Sequence, residues 1–127
     1  MKTRYSVLLA MVAGFGLGAV AVQGLHAQAK PPVYYIGEID VTNADAYTKE
    51  YQPGAGATIK AAGGRYLAAG KAIPIEGAPP KSRVILLAWD SMEVLQAWRD
   101  SAAFKDGRKI GEKYANFRAF AIEGLPQ

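Results

Sequence analysis

The sequence predicts an α+β domain of the ferredoxin-like βαββαβ type, in which an antiparallel sheet carries its helices on one face. Three observations support this. Four segments are rich in the β-branched, aromatic and apolar residues of strands, two regions space apolar residues as helices do, and their order is β-α-β-β-α-β. The strands are apolar at both alternating positions, so the free sheet face also needs a cover. A second copy packed there would complete a dimeric α/β barrel.

The four predicted strands differ in how strongly their residues indicate them. Residues 33–41 alternate between an apolar set and a set that becomes polar. Residues 65–77 are predicted as a strand with an irregular extension, where Pro74 restricts the end to an edge or a bulge. Residues 83–89 are nearly all apolar, which favours a central strand. Residues 116–124 are predicted as the last strand.

Capping and breaking residues set the expected helix limits. Thr42 or Asn43 is expected to cap the first helix, because either side chain can accept a hydrogen bond from a free backbone N–H. Pro53-Gly54 should break or kink this helix. Ser91 is expected to cap the next helix, and a further helical stretch is expected to begin at Asp100-Ser101.

The chain of 127 residues is expected to contain an N-terminal segment, residues 1–29, and one domain, residues 30–127. The segment has a basic start, an apolar run over residues 7–22 and a small residue at Ala29, as in a secretory signal peptide. We therefore expect export, with cleavage between Ala29 and Lys30 and a periplasmic or secreted product. The alternative is an uncleaved anchor, in which case this segment would be the protein's contact with a membrane.

Removal of the N-terminal segment would also remove His26, the only histidine, and the chain has no cysteine. This excludes thiol nucleophiles, zinc ribbons, disulfides and haem ligation by histidine, so no metal or cofactor is expected. Haem ligation by tyrosine or methionine stays open in principle, but Met92 belongs to a core-like helical stripe. Without Lys2 and Arg4, the 15 basic residues fall to 13 against 11 acidic ones. A net charge of +2 does not indicate a nucleic-acid partner.

Several segments together resemble the domain-of-unknown-function 1330 family (DUF1330), a branch of the dimeric α/β-barrel superfamily. They are "YYIGEIDVTNADAY", "GGRYLAAG", "SRVILLAWDSMEVLQAWRDSAAF" and "AIEG", and the likeness spans residues 33–124. The resemblance implies the fold and a homodimer, but no settled activity. The superfamily includes cofactor-independent monooxygenases, isomerases and haem-binding enzymes, which use a cleft between sheet and helices. Ala69 and Ala88 stand where many relatives carry charged residues, and Lys71 could replace one of them in part.

Two carboxylates are the candidate catalytic residues. Glu38 and Asp40 lie two apart on one strand face and could share a cleft, where one carboxyl could raise the pKa of the other. The alternative is a strand end with ordinary exposed charges.

Two tyrosines and two arginines are the candidate ligand-binding residues. Tyr34 and Tyr66 could line a pocket, while Arg83 and Arg118 could bind a carboxylate in a bidentate manner. The alternatives are core or interface packing for the tyrosines and ion pairs within the chain for the arginines. Glu38, Glu76 and Glu123 are the candidate partners of such ion pairs.

These residues leave three functional hypotheses open. The first is an exported homodimer that binds a small molecule between sheet and helices. The second is a cofactor-independent enzyme, monooxygenase- or isomerase-like, with Glu38 or Asp40 as base and Arg118 or Tyr66 steadying an anion. The third is a structural or interaction dimer.

Overall fold

The computed structural model describes residues 30–126; the predicted signal segment, residues 1–29, lies outside the described residues. The elements, in chain order, are β1 (Val33–Val41), α1 (Ala44–Ala46), a π-helical segment (Tyr47–Tyr51), α2 (Gln52–Ala61), β2 (Arg65–Lys71), β3 (Arg83–Trp89), α3 (Met92–Asp100), α4 (Ala102–Gly111) and β4 (Ala115–Glu123). Within the described range, no helix is long and apolar enough to cross a membrane.

The four strands form one antiparallel sheet in the order β2-β3-β1-β4. This order confirms the predicted α+β, ferredoxin-like fold and the central position of β3. The second strand is shorter than predicted, because β2 ends at Lys71 and residues 72–82 form a loop. β2 is an edge strand with an irregularity between Tyr66 and Ala68, and Pro74 lies outside it.

Three helices, α1, α3 and α4, begin at side chains that accept backbone hydrogen bonds, whereas α2 continues from the π-helical segment without such a cap. The side chain of Asn43 accepts from the N–H of Ala46, at 3.2 Å. Ser91 and Ser101 cap α3 and α4 in the same way, through the N–H groups three residues further along. These caps confirm the predicted starts, because capping depends on a few neighbouring residues only.

The helix does not break at Pro53-Gly54, but it is distorted directly before the proline, where it widens into the π-helical segment. In the π-helical segment the N–H of Gln52 bonds to the carbonyl of Tyr47, five residues back. Pro53 then falls in the first turn of α2, where its missing N–H costs no intrahelical hydrogen bond. The helix continues to Ala61 and ends at Gly63, which has a φ of +95° that favours glycine.

The main core lies between the helices and one face of the sheet. Trp89 is wholly buried, stacks on Trp98 with 4.9 Å between ring centroids, and closely approaches the backbone of Gly64. Tyr35 and Phe104 meet Trp98 edge to face. Both tryptophans are therefore core anchors.

The opposite face of the sheet, here called the open face, carries the other set of alternating residues. Ile36 and Leu86 are paired neighbours on it and are partly exposed. Phe120, which pairs with Ile36, is 53% exposed, and Ile122 is 58% exposed. The sequence expectation that both faces carry apolar residues is therefore met in the monomer.

Candidate functional site

A cavity of about 480 Å³ lies between the helices and the sheet face that carries Tyr35. Its floor includes Gly37, Ile39 and Ile85 from the two central strands. Its walls are mainly aromatic side chains from several elements, namely Tyr47, Tyr51, Tyr66, Phe104 and Phe117. Gly37 makes room for the Ile85 side chain in this floor, since a Cβ there would lie 2.8 Å from it.

Two arginines bring positive charge to this aromatic cavity. Arg83 reaches it from β3, and Arg108 reaches it from α4. The Arg108 guanidinium lies 3.9 Å from the ring centroid of Phe117 and 4.8 Å from that of Phe104. Within residues 30–126, the Nε atoms of both arginines are buried and have no hydrogen-bond partner. Buried donors of this kind usually have an acceptor, and these two have none among the described residues.

The tyrosine hydroxyls in the cavity are held in their neutral form. Burial is the main cause that raises the pKa of Tyr47, Tyr51 and Tyr66. Arg83 partly opposes this rise of the pKa at Tyr47 through its charge and a hydrogen bond, and Arg108 does the same at Tyr51. At neutral pH these hydroxyls can therefore donate hydrogen bonds to a bound molecule.

The two candidate catalytic carboxylates lie on the open face, away from the cavity. Glu38 is only 3% exposed; the Nε of Arg118 donates to its Oε2 at 2.7 Å, and the N–H of Lys81 donates to its Oε1 at 3.0 Å. The Nζ of Lys81 lies 2.8 Å from the Oδ2 of Asp40, whose other oxygen accepts from the N–H of Ser82. Glu38 and Asp40 thus fasten the end of the 72–82 loop to β1.

These contacts lower the pKa of both carboxyls, whereas a general acid needs a raised pKa. The Arg118 hydrogen bond is the main cause that lowers the pKa of Glu38, against the effect of burial. The Lys81 hydrogen bond does the same for the pKa of Asp40. Each carboxyl is held as an anion by its own partner, so the two do not share a proton.

The four predicted ligand-binding residues differ in where they lie relative to the cavity. Tyr66 and Arg83 line the cavity, as the sequence hypothesis proposed. Arg118 borders it, but its guanidinium group is held by Glu38. Tyr34 does not line the cavity, because it alternates with Tyr35 along β1 and belongs to the open face.

Sequence reasoning missed Tyr47, Tyr51 and Arg108 as cavity residues. For Arg108 a signal was present, because Phe104 stands four residues before it and belongs to the core. That i, i+4 spacing to a core residue was the available signal.

In the part of the chain that the structure describes, no group of three or more acidic, histidine or cysteine side chains could hold a metal ion.

Comparisons with solved structures found the same fold at low sequence identity. A protein of unknown function from Rhodopseudomonas palustris matches with a TM-score of 0.61 and 14% identity, covering 84% of this chain and 94% of that one. SnoaB, a cofactor-independent oxygenase from Streptomyces nogalater, matches with 0.57 and 11%, covering 76% and 96%. HapK from Hahella chejuensis matches with 0.58 and 19%, covering 75% and 94%. At such identities the likeness concerns the fold alone.

The comparison with curated proteins found no match. Among protein families, the one described as "Domain of unknown function (DUF1330)" matches residues 32–125, which include all four strands and the helices between them. This chain therefore belongs to the DUF1330 family.

Proposed function

We propose that this protein binds a small organic molecule in the cavity between the sheet and the helices. The observation that carries the proposal is the cavity itself, about 480 Å³ within a small domain. Protein interiors are close-packed and contain few voids larger than a water molecule. Ligand pockets commonly measure about 300–1,000 Å³ and combine apolar walls with a few polar groups, which describes this cavity.

The polar groups around the cavity favour binding over acid–base catalysis by Glu38 or Asp40. Among the described residues, the lining contains arginines and tyrosines but no aspartate, glutamate, lysine or histidine. Glu38 and Asp40 lie across the sheet with their own partners. A base in the cavity would have to come from the bound molecule or from a tyrosine with a raised pKa, so binding is the better-supported function.

Filling the cavity from Gly107 is expected to weaken ligand binding without destabilising the fold. Gly107 lines the cavity within α4, and a Cβ added there would meet no atom within 4 Å. In Gly107→Leu, the new side chain should occupy ligand space and lower the affinity at least about tenfold. A panel of small aromatic compounds is first screened against the wild type by thermal shift, and affinities of the hits are then measured by calorimetry.

The matched control is Gly54→Leu. Gly54 is also helical with open space around its Cβ position, but it is exposed and does not line the cavity. This variant should bind as the wild type does, and both leucines should maintain or raise the Tm because glycine disfavours helices. The proposal fails if no compound in the panel stabilises the wild type, or if both variants bind equally well.

We also propose that the protein is a homodimer whose two open faces pack against each other. Phe120 and Ile122 expose large apolar side chains on a face without a helix. Its Glu38 is already paired with Arg118 within the chain, so burying this face would leave no isolated carboxylate. A two-fold arrangement would place the same patch on both sides of the interface.

Phe120→Glu is expected to convert the dimer to monomers. A glutamate buried in an apolar interface without a partner costs several kcal/mol, so the dimer dissociation constant should rise at least about 100-fold. Sedimentation velocity over a concentration series measures this. The control is Ile110→Glu, because Ile110 is 39% exposed but lies on α4, away from the open face. A wild-type protein that stays monomeric at high concentration would contradict the proposal.

A further inference from the structure

We propose that the cavity binds small aromatic acids, such as phenols, enols or carboxylic acids, in their ionised form, with Arg83 and Arg108 as the counterions. This inference rests on the proposed function and adds the chemical class and charge state of the ligand. It comes from charge balance and ring geometry inside the cavity.

The cations of the described chain differ in whether they have a carboxylate partner. Three cations of the described chain have carboxylate partners: Arg118 with Glu38, Lys81 with Asp40, and Arg65 with Asp90. Neither Arg83 nor Arg108 forms an ion pair within residues 30–126, although both reach a partly enclosed cavity and each has a buried Nε without an acceptor. These Nε atoms are inaccessible, so the other guanidinium nitrogens of the two lining arginines are the donors available to a ligand. Both arginines are half-buried, and partial removal of a cation from water is costly unless an anion accompanies it. A ligand anion would supply the missing negative charge.

The other charged groups around the cavity strengthen the positive field. Lys71 is the partner of Arg83 in the β2–β3 ladder. Arg99 donates to the hydroxyl of Tyr35 at 3.0 Å, and its guanidinium lies 4.4 Å from the ring centroid of Phe104. No carboxylate lines the cavity among the described residues to offset these charges.

The walls of the cavity combine aromatic surface with polar groups. Phe104 and Phe117 contact the Arg108 guanidinium, which restricts its position. Tyr47, Tyr51 and Tyr66 add aromatic surface, and their neutral hydroxyls can donate hydrogen bonds to an anion. Aromatic walls bind planar rings, whereas fixed cations bind oxygen anions. A ring that carries an ionised oxygen can contact the aromatic walls and pair with the cations.

The consequence is a preference for one protonation state of the ligand. If the cavity binds the anion more tightly than the neutral acid, bound ligand must ionise at lower pH than free ligand. A single opposite charge within about 4–6 Å shifts such an equilibrium by roughly 1–3 pH units. A cavity that only recognises rings would leave the ionisation midpoint near its value in water or raise it.

The experiment uses 4-nitrophenol, whose anion alone has a strong yellow absorbance. The full chain is held in excess, bound probe is quantified by equilibrium dialysis, and absorbance is followed from acidic to alkaline pH. The bound probe should ionise at a pH about 1–3 units lower than the free probe. Arg83→Gln and Arg108→Gln should each reduce this shift, and Arg65→Gln should not, because Arg65 is exposed and paired with Asp90.

A neutral probe separates failure of this inference from failure of the proposed function. 4-Nitroanisole has the same ring without an ionisable group, so both glutamine variants should bind it as the wild type does if their cavities are intact. Binding of 4-nitrophenol with an unshifted midpoint, or a shift that survives both glutamine substitutions, overturns the inference and leaves small-molecule binding standing. If neither probe is retained by the wild type, both the inference and the small-molecule proposal are contradicted.

Discussion

Replacing Trp89 with alanine is expected to lower the free energy of unfolding by about 3–5 kcal/mol, the range for a large aromatic removed from a core. Trp89 is 0% exposed, stacks on Trp98, and contacts the turn at Gly64. Its loss would leave a void between sheet and helices that the flanking backbone cannot close. Urea denaturation followed by far-UV circular dichroism, at fixed protein concentration, measures the change.

Two variants serve as comparisons for this prediction. Trp89→Phe should cost much less than Trp89→Ala, because it keeps a ring and removes an indole Nε1 that has no hydrogen-bond partner among residues 30–126. Met92→Ala should cost under about 1 kcal/mol, because Met92 is 42% exposed on α3 and does not belong to the core, contrary to what its helical spacing predicted. A Trp89→Ala loss as small as that of Met92→Ala would contradict the central role given to Trp89.

Replacing Arg118 with methionine is expected to destabilise the protein strongly at neutral pH and to change how its stability depends on pH. Arg118, whose side chain is 65% exposed, is the main partner of the buried Glu38 carboxylate, and its loss leaves that carboxylate with only the Lys81 N–H. The loss at pH 7 should clearly exceed that of Arg65→Met, whose partner Asp90 is exposed. Thermal unfolding across a pH series measures both effects.

How the stability of the protein changes with pH depends on whether folding raises or lowers the pKa of Glu38. In the wild type the pKa of Glu38 is lowered from its ordinary value of 4.5, chiefly by Arg118. Its contribution to stability is therefore fully present above that value and is lost as the pH falls through the lower, folded pKa. In Arg118→Met, burial acts with less opposition and raises the pKa of Glu38, so this acid loss should shrink or reverse.

Glu38→Gln provides the internal control. In the Glu38→Gln, Arg118→Met double variant, no buried carboxylate remains among residues 30–126, so part of the stability lost in Arg118→Met at neutral pH should return. If Arg118→Met and Arg65→Met unfold alike at every pH, Glu38 does not depend on Arg118 and the argument is wrong.

Local residue order was sufficient to predict most of the secondary structure. Residues 33–41 and 83–89 coincide with β1 and β3, because each is a continuous run of strand-favouring residues with turn residues near its ends. Ser91 and Ser101 were predictable as caps because a cap needs only an N–H three residues away. Pro53 predicted a break or kink, whereas the structure has a π-helical turn directly before it. The residues of that turn carry no sequence signal for a π-helix.

The sequence alone therefore determined the order of elements, the fold class and the family, and it leaves export as a prediction on residues 1–29. Only the tertiary structure decided which strand face meets the helices, and so placed Tyr35 beside the cavity and Tyr34 and Glu38 outside it. It also joined Arg118 to Glu38 across 80 positions and left Arg83 and Arg108 without ion-pair partners among the described residues. Strand alternation and capping depend on near neighbours, whereas the burial and charge of a side chain depend on residues that only folding brings together.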